Sequence, residues 1–412
     1  MSLIQPFRGW RPALGHAAEI AAPPYDVISR DEASALAADR PDSFLHVSRP
    51  EIDLPAEADP YAPATYTKAQ ENFARLIAQG RLVRDPDPVY YRYRQQIGDH
   101  QQTGLVAAAS VAAYESGRIK QHELTRPLKE QDRVRQIEAV NAHTGPVLLV
   151  HPDSPAIEAV LAEISEPPAY DVCADDGVRH QLWPITDTQQ IAQLTLLFDA
   201  LPALYIADGH HRSAAAVQVA ARRRQIGTDA SAAEWFLAVI FPRQQLRILA
   251  YHRVIRDLNG MTPAAFLKRV AERWRLDPSP TPVAPEAAGL FGLYLDHQWY
   301  RLEVPEEQLE AVAHDPIARL DVSLLQDQLI APLLAIEDPR HDERIDFVGG
   351  SRGLTGLCAR VDSGEMRLAF ALYPTAIEDL IAVADAGAIM PPKSTWFEPK
   401  LADGLVCYGL DG

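Results

Sequence analysis

The stretch LPALYIADGHHRSAAA, residues 201–216, constrains this chain more than any other, because it sets a charged, imidazole-rich turn between two apolar segments. Residues up to Asp208 read as a short buried strand, and those after it as the start of an Ala-rich helix. Gly209 permits a tight turn, so Asp208, His210, His211 and Arg212 crowd one strand-to-helix junction. The amide hydrogens at a helix start can receive an anion, and the junction therefore suits phosphate chemistry. The plainer alternative is that Asp208 caps the helix while His210 and His211 are satisfied by backbone or solvent.

Composition sets limits on what surrounds this turn. With 412 residues, 47% of them hydrophobic, the chain can bury substantial cores and fits two or three domains. Its formal charge of -17 argues against non-specific binding to nucleic acid or to anionic membranes, so any phosphate site must be focal. Cys173, Cys358 and Cys407 are too few and too scattered for a disulfide scaffold or a thiolate metal site, and read as buried thiols in a reducing compartment. The start, MSLIQPFRGWRP, lacks the pattern of a secretory signal, and no segment approaches a membrane span. A cytoplasmic protein is the expectation.

Along the chain, Ser29 is placed to cap a helix from Arg30, with Tyr25 and Asp26 at the lip of whatever the amino-terminal segment covers. FLHVSRP reads as a short strand, and residues 65–80 as an amphipathic helix packing through Phe73, Leu76 and Ile77. In RIKQHELTRPLKEQDRVRQ, His122 and Glu123 precede a helix from near Lys129 to Asn141, whose Lys129, Glu130, Asp132 and Arg133 suit a solvated face. Arg126 stands where a zinc-protease HExxH would need its second His. Glu123 could accept or deliver a proton. The Arg222 to Arg224 run lies far from the turn and suits solvent or pairing with acidic side chains, and RWRLDPSPTPVAPEAAG reads as an exposed connection or peripheral insertion.

Two further concentrations are chemically unusual. His252 and Arg253 end a strand and can reach a phosphate or carboxylate if folding returns them to the turn. Near the carboxy terminus, MPPKSTWFEPK offers Lys393, Ser394, Thr395 and Lys400, a set of cations and hydroxyls suited to holding a phosphoryl group, or else a rigid hairpin closed by Trp396 and Phe397.

Short strands alternating with helical patterns point to an α/β or α+β protein with a mixed central sheet and flanking helices. The expected division is a covering segment over 1–84, a central domain over 85–260, a subdomain over 261–345, and a final segment over 346–412 that returns to the cleft.

Taken together, PPYDVIS, GRIKQHELT, YIADGHHRSAA, YHRVIRDLNG and MPPKSTWFEPK resemble the motif series of the bacterial and archaeal family catalogued as domain of unknown function 1015. The resemblance names a family without supplying a reaction. More locally, DGHHR is similar to the DGHR-type turn of the ParB/sulfiredoxin superfamily, which includes nucleotide hydrolases, an ATP-using sulfinic-acid reductase and a free-serine kinase. That similarity implies a ParB/sulfiredoxin-like fold around the motif, a nucleotide-phosphate turn at Asp208 to Arg212, and Glu123 as a base beside the acceptor.

The leading expectation is a nucleotide-dependent phosphotransferase acting on a small polar metabolite, an amino acid or hydroxy acid, with ATP or ADP and Mg2+. Glu123 would take the acceptor proton, with His122 as its alternate. Gly209, His210, Arg212, His252, Arg253, Lys393, Ser394, Thr395 and Lys400 would surround phosphate or nucleotide. Asp208 would position Mg2+ or the turn, and His211 would orient phosphate or assist proton transfer. The competing readings are a phosphate-ester or nucleotide hydrolase, a metal site built from His122, His210, His211 and Asp208, and a nucleotide- or metabolite-sensing module without turnover. Partners are then a small substrate and a nucleotide, with no membrane or nucleic acid, and a homo-oligomer is left open.

Overall fold

The computed structural model describes residues 2–227 and 231–411. The chain forms two compact units, Met1–Leu246 with Pro399–Gly412, and Arg247–Glu398. Segment 1–84 is thus contained in the first unit, and the chain leaves that unit at Leu246, ahead of the boundary expected at 260. Only the final stretch, from Pro399, rejoins it.

Among the described residues, the first unit is built on a nine-stranded mixed sheet. Its main order is Ile119–Lys120, Leu204–Asp208, Val147–His151, Trp235–Pro242, His100–Ser110, Tyr90–Ile97, Arg179–Ile185 and Tyr170–Cys173, with Ile4–Gln5 paired beside His100–Ser110. Leu204–Asp208 runs parallel to Ile119–Lys120 but antiparallel to Val147–His151, and Trp235–Pro242 runs parallel to Val147–His151. VLLVH is buried at every position and has a partner strand on each edge, Leu204–Asp208 on one side and Trp235–Pro242 on the other. The protein is therefore a mixed α/β fold with a central sheet and flanking helices, and the described strands close no barrel specific to the ParB/sulfiredoxin type.

Local sequence explains the flanking helices. Ser29 accepts the Glu32 N–H while Glu32 returns a bond to the Ser29 N–H, a capping box that starts Arg30–Ala37. Pro127 opens the helix Pro127–Val140, and Asn141 ends it in a left-handed conformation. That helix packs against His210–Ile226 through Gln131 to Gln218 and Arg222 to Glu138. Two of the three arginines in the run pair with acids, as one of the expected readings had it: Arg222 with Glu138 and Arg224 with Glu115 and Glu234, while Arg223 bonds the Leu410 carbonyl and Asn141.

Three expectations are corrected. FLHVSRP forms no strand: Leu45–Ser48 is a helical turn, because Phe44, Leu45 and Val47 converge on Phe73 and Leu76 in one apolar cluster. The exposed connection contains an edge strand, Arg275–Ser279, where Pro278 is tolerated because one side of the strand needs no ladder partner. Among the cysteines only Cys407 is buried; Cys173 is exposed and Cys358 intermediate, and all three are free.

The second unit carries a six-stranded antiparallel sheet, in which Tyr251–Ile255 lies between Leu368–Ala371 and Ile345–Gly349. No described helix is long and apolar enough to cross a membrane.

In the central sheet the run Gly104, Ala107, Ala108, Ala109 lets the neighbouring strand approach closely. A Cβ on Gly104 would stand 2.7 Å from Phe241 Cδ1 and closer still to the Ile240 carbonyl. Gly104→Ala is therefore expected to destabilise the protein by about 1–3 kcal/mol through overpacking, read as a lower urea midpoint with an unchanged slope.

Candidate functional site

The turn after Leu204–Asp208 is shaped by two local features. The ladder register slips between Ile206 and Asp208, which re-aims the strand end. Gly209 then adopts φ 96°, and a Cβ there would also meet Arg212 Nε at 3.1 Å, so glycine is required twice over.

Around this turn the charges are paired. Asp208 Oδ1 accepts the Gly209 N–H at 2.8 Å, and Lys400 Nζ lies 3.2 Å from Asp208 Oδ2. Arg212 reaches Asp208 at 3.8 Å and Asp26 at 3.6 Å, and donates a very short hydrogen bond to the Pro146 carbonyl. Burial opposes ionisation of Asp208, yet Lys400 and then Arg212 outweigh it and hold the carboxyl well below the usual range. A divalent cation at Asp208 would meet the positive charges of Lys400 and Arg212 beside a single carboxylate. The donor set does not fit Mg2+ there, and Asp208 serves the turn and its cations.

His122 and His210 are buried and stack edge to face at 4.5 Å. Burial keeps both rings neutral, pulling His210 down to about 4 and His122 well below its ordinary value. Glu123 lies 3.8 Å from His210 Nδ1, and His211 Nε2 accepts the Arg126 N–H at 3.0 Å. Thus Tyr25, Asp26, His122, Glu123, Asp208, Gly209, His210, His211, Arg212 and Lys400 all belong to the first unit.

The other expected residues belong to the second unit, where their visible roles are architectural. Arg253 donates to the carbonyls of Tyr251, Pro392 and Lys393, fixing the turn that carries Lys393, Ser394 and Thr395. Ser394 Oγ donates to the Pro391 carbonyl, and His252 Nδ1 accepts the Leu372 N–H.

Sequence reasoning missed the pocket beside the turn. Tyr25, Ser48, Arg133, His143, Arg212 and Asp403 are among the residues lining a space of about 20 Å³, close to the size of a water. It adjoins a cleft of about 160 Å³, with which it shares Tyr25, Ser48, Arg133 and Gln136 and to which Tyr61, Tyr66 and Lys129 contribute. Arg133, expected on a solvated face, instead lays its guanidinium 3.9 Å from the centre of the Tyr25 ring and pairs with the buried Asp132. The charge alternation that suggested solvent conceals a contact made across the fold.

Asp403 enters the pocket because Ala22 and Asp403 exchange backbone hydrogen bonds. It is 1% exposed, and its carboxyl oxygens make no hydrogen bond of ordinary geometry. Burial pushes its pKa up to about 7, against the pull of Arg212 and a weaker one from the Tyr25 N–H. Its one signal in the sequence is an acid set inside the apolar run LADGLVCYGL. Ser48 Oγ, His143 Nε2 and Arg212 Nε are likewise buried without partners, so four residues around one small space carry unanswered polar atoms.

The family described as Protein of unknown function (DUF1015) matches residues 4–323. The chain belongs to that family. A search of curated proteins finds no match for this DUF1015 protein. Solved structures similar to it include a free serine kinase in complex with AMP, at 11% identity over 71% of this chain and 86% of that one, TM-score 0.34. SbnI with C-terminal truncation from Staphylococcus aureus is similar at 12% over 72% and 85%, TM-score 0.37. A conserved hypothetical protein from Pyrococcus furiosus is similar at 12% over 72% and 93%, TM-score 0.33. Likenesses of this size carry no argument about the chain.

Asp403 makes stability depend on pH. Between the ordinary 3.8 and about 7 the folded chain keeps a proton that the unfolded chain has released, so this group lowers stability as pH rises through that window. Asp403→Asn is expected to be more stable than the parent at pH 8, by an amount on the order of a few kcal/mol, with the advantage vanishing below pH 4. Urea melts of both proteins across that range provide the check.

Proposed function

We propose that this DUF1015 protein is a nucleotide-dependent phosphotransferase acting on a small polar metabolite. One observation carries the reading: a small pocket ringed by unanswered polar atoms and two arginines opens beside a larger, aromatic and basic cleft. Four orphaned polar residues in one place call for a polar occupant, and two guanidinium groups favour an anionic one. The adjoining cleft has room for the organic part of a phosphorylated molecule, with Tyr61 and Tyr66 as apolar walls and Lys129 as a cation.

In this reading Arg133 and Arg212 hold phosphoryl oxygens. Lys400, fixed by Asp208, neutralises charge that develops during transfer. Asp403, protonated near neutral pH, donates a hydrogen bond to a phosphoryl oxygen. Glu123 takes the acceptor hydroxyl proton as the new O–P bond forms and the bond to the nucleoside diphosphate breaks. The phosphate-turn role implied for Asp208 to Arg212 by the ParB/sulfiredoxin resemblance is part of the same proposal, as is an amino acid or hydroxy acid acceptor. ATP or ADP is the expected nucleotide. The reading rests on first-unit residues alone.

Incubation of the full chain with ATP and a panel of amino and hydroxy acids, with products weighed by mass spectrometry, provides the test. A phosphorylated acceptor is expected, and Lys400→Gln should lower its formation about 100-fold in protein that circular dichroism shows to be folded, alongside a lower urea midpoint from the loss of the Asp208 pair. Phosphate release that ignores every acceptor would replace this reading with hydrolysis, and saturable binding without product would replace it with sensing.

A further inference from the structure

Beside the phosphate pocket lies a second cluster that phosphoryl transfer does not use as a unit. His122 and His210 are 2% and 4% exposed, and Glu123 stands half-exposed at their edge. The ligand atoms of the three side chains all lie within 4.8 Å of one another. His122 hydrogen-bonds to the Ile206 carbonyl, and its Nδ1 is buried with no partner, so Nε2 carries the donated hydrogen and Nδ1 the lone pair. An imidazole whose N–H is fixed on a backbone carbonyl while its other nitrogen waits unbonded is arranged as metal-bound histidines are.

His210 presents Nδ1 to Glu123 at 3.8 Å, while its Nε2 takes a long 3.4 Å bond from the His122 N–H. A change of rotamer at the half-exposed Glu123 would bring its carboxylate onto an ion shared with the two rings. We propose that His122, Glu123 and His210 form a binding site for a divalent transition-metal ion of the zinc and cobalt class. Two imidazoles and one carboxylate select such ions over Mg2+ or Ca2+, which prefer all-oxygen shells. Three protein ligands leave a fourth position for water or a ligand oxygen. The site is argued without the phosphotransferase reading; an ion bound here would engage Glu123, so the base role proposed for that residue belongs to the metal-free chain.

The metal-stripped full chain, without nucleotide, is titrated with Co2+ followed by visible absorption and with Zn2+ followed by calorimetry. One ion per chain is expected, with cobalt bands of a low-coordinate nitrogen and oxygen shell. Glu123→Gln and His210→Gln should each weaken Zn2+ binding at least about 10–100-fold, with circular dichroism confirming that both variants fold. Stoichiometry near zero, or equal affinity in parent and folded variants, as surface histidines would give, overturns the site. Nucleotide binding enters neither measurement, so the phosphotransferase reading stands or falls separately.

Discussion

A buried guanidinium is tolerable only where carboxylates and carbonyls surround it, and Arg212 meets that condition by drawing three distant segments to its own turn. Asp26 comes from the amino-terminal cover, Pro146 from the approach to a central strand, Asp208 from the end of another, and Asp403 from the returning carboxy terminus. Leaving Arg212 without its ionised partners Asp26 and Asp208 would cost several kcal/mol, while Asp403 adds a carboxyl whose proton is held near neutrality. The arrangement therefore constrains where the last residues of the chain must lie. Lys400 completes it from the outer side of Asp208.

The same constraint makes the neighbouring pocket chemically uneven. Pairing consumes the charges nearest Gly209, while Ser48, His143 and Asp403 keep polar atoms without partners a short way along. Native interiors rarely leave several such atoms around one space unless something polar occupies it. Asp403 adds a group whose proton is held near neutrality, able to change from hydrogen-bond donor to anion as the occupant's charge changes. Balanced charge at the turn and unsatisfied polarity beside it together favour a phosphorylated ligand over a neutral one.

Local signals were legible in the sequence and long-range ones were not. The strand, glycine turn and helix around Asp208 could be read because each depends on neighbours in the chain, as could the Ser29 cap. FLHVSRP misled because a short apolar run fits a strand or a helical turn equally, and packing against Phe73 decides it. Arg133 misled for a deeper reason: its spacing matches a solvated helix, while its burial is imposed by Tyr25, far away in sequence. Asp403 is placed by two backbone hydrogen bonds to Ala22, which no pattern of side chains announces. Site residues carried by turns were therefore foreseeable, and those supplied by the pocket's far walls were not.

The central claim is that the space between Arg133 and Arg212 receives an oxygen of a phosphoryl group whose remainder lies in the adjoining cleft, and a crystal structure of the full chain grown with a non-hydrolysable ATP analogue tests it most directly. The account predicts a phosphate within hydrogen-bonding distance of both guanidinium groups, with the rest of the nucleotide lying along Tyr61 and Tyr66. A nucleotide bound with its phosphates elsewhere, and that pocket holding only water, would contradict it.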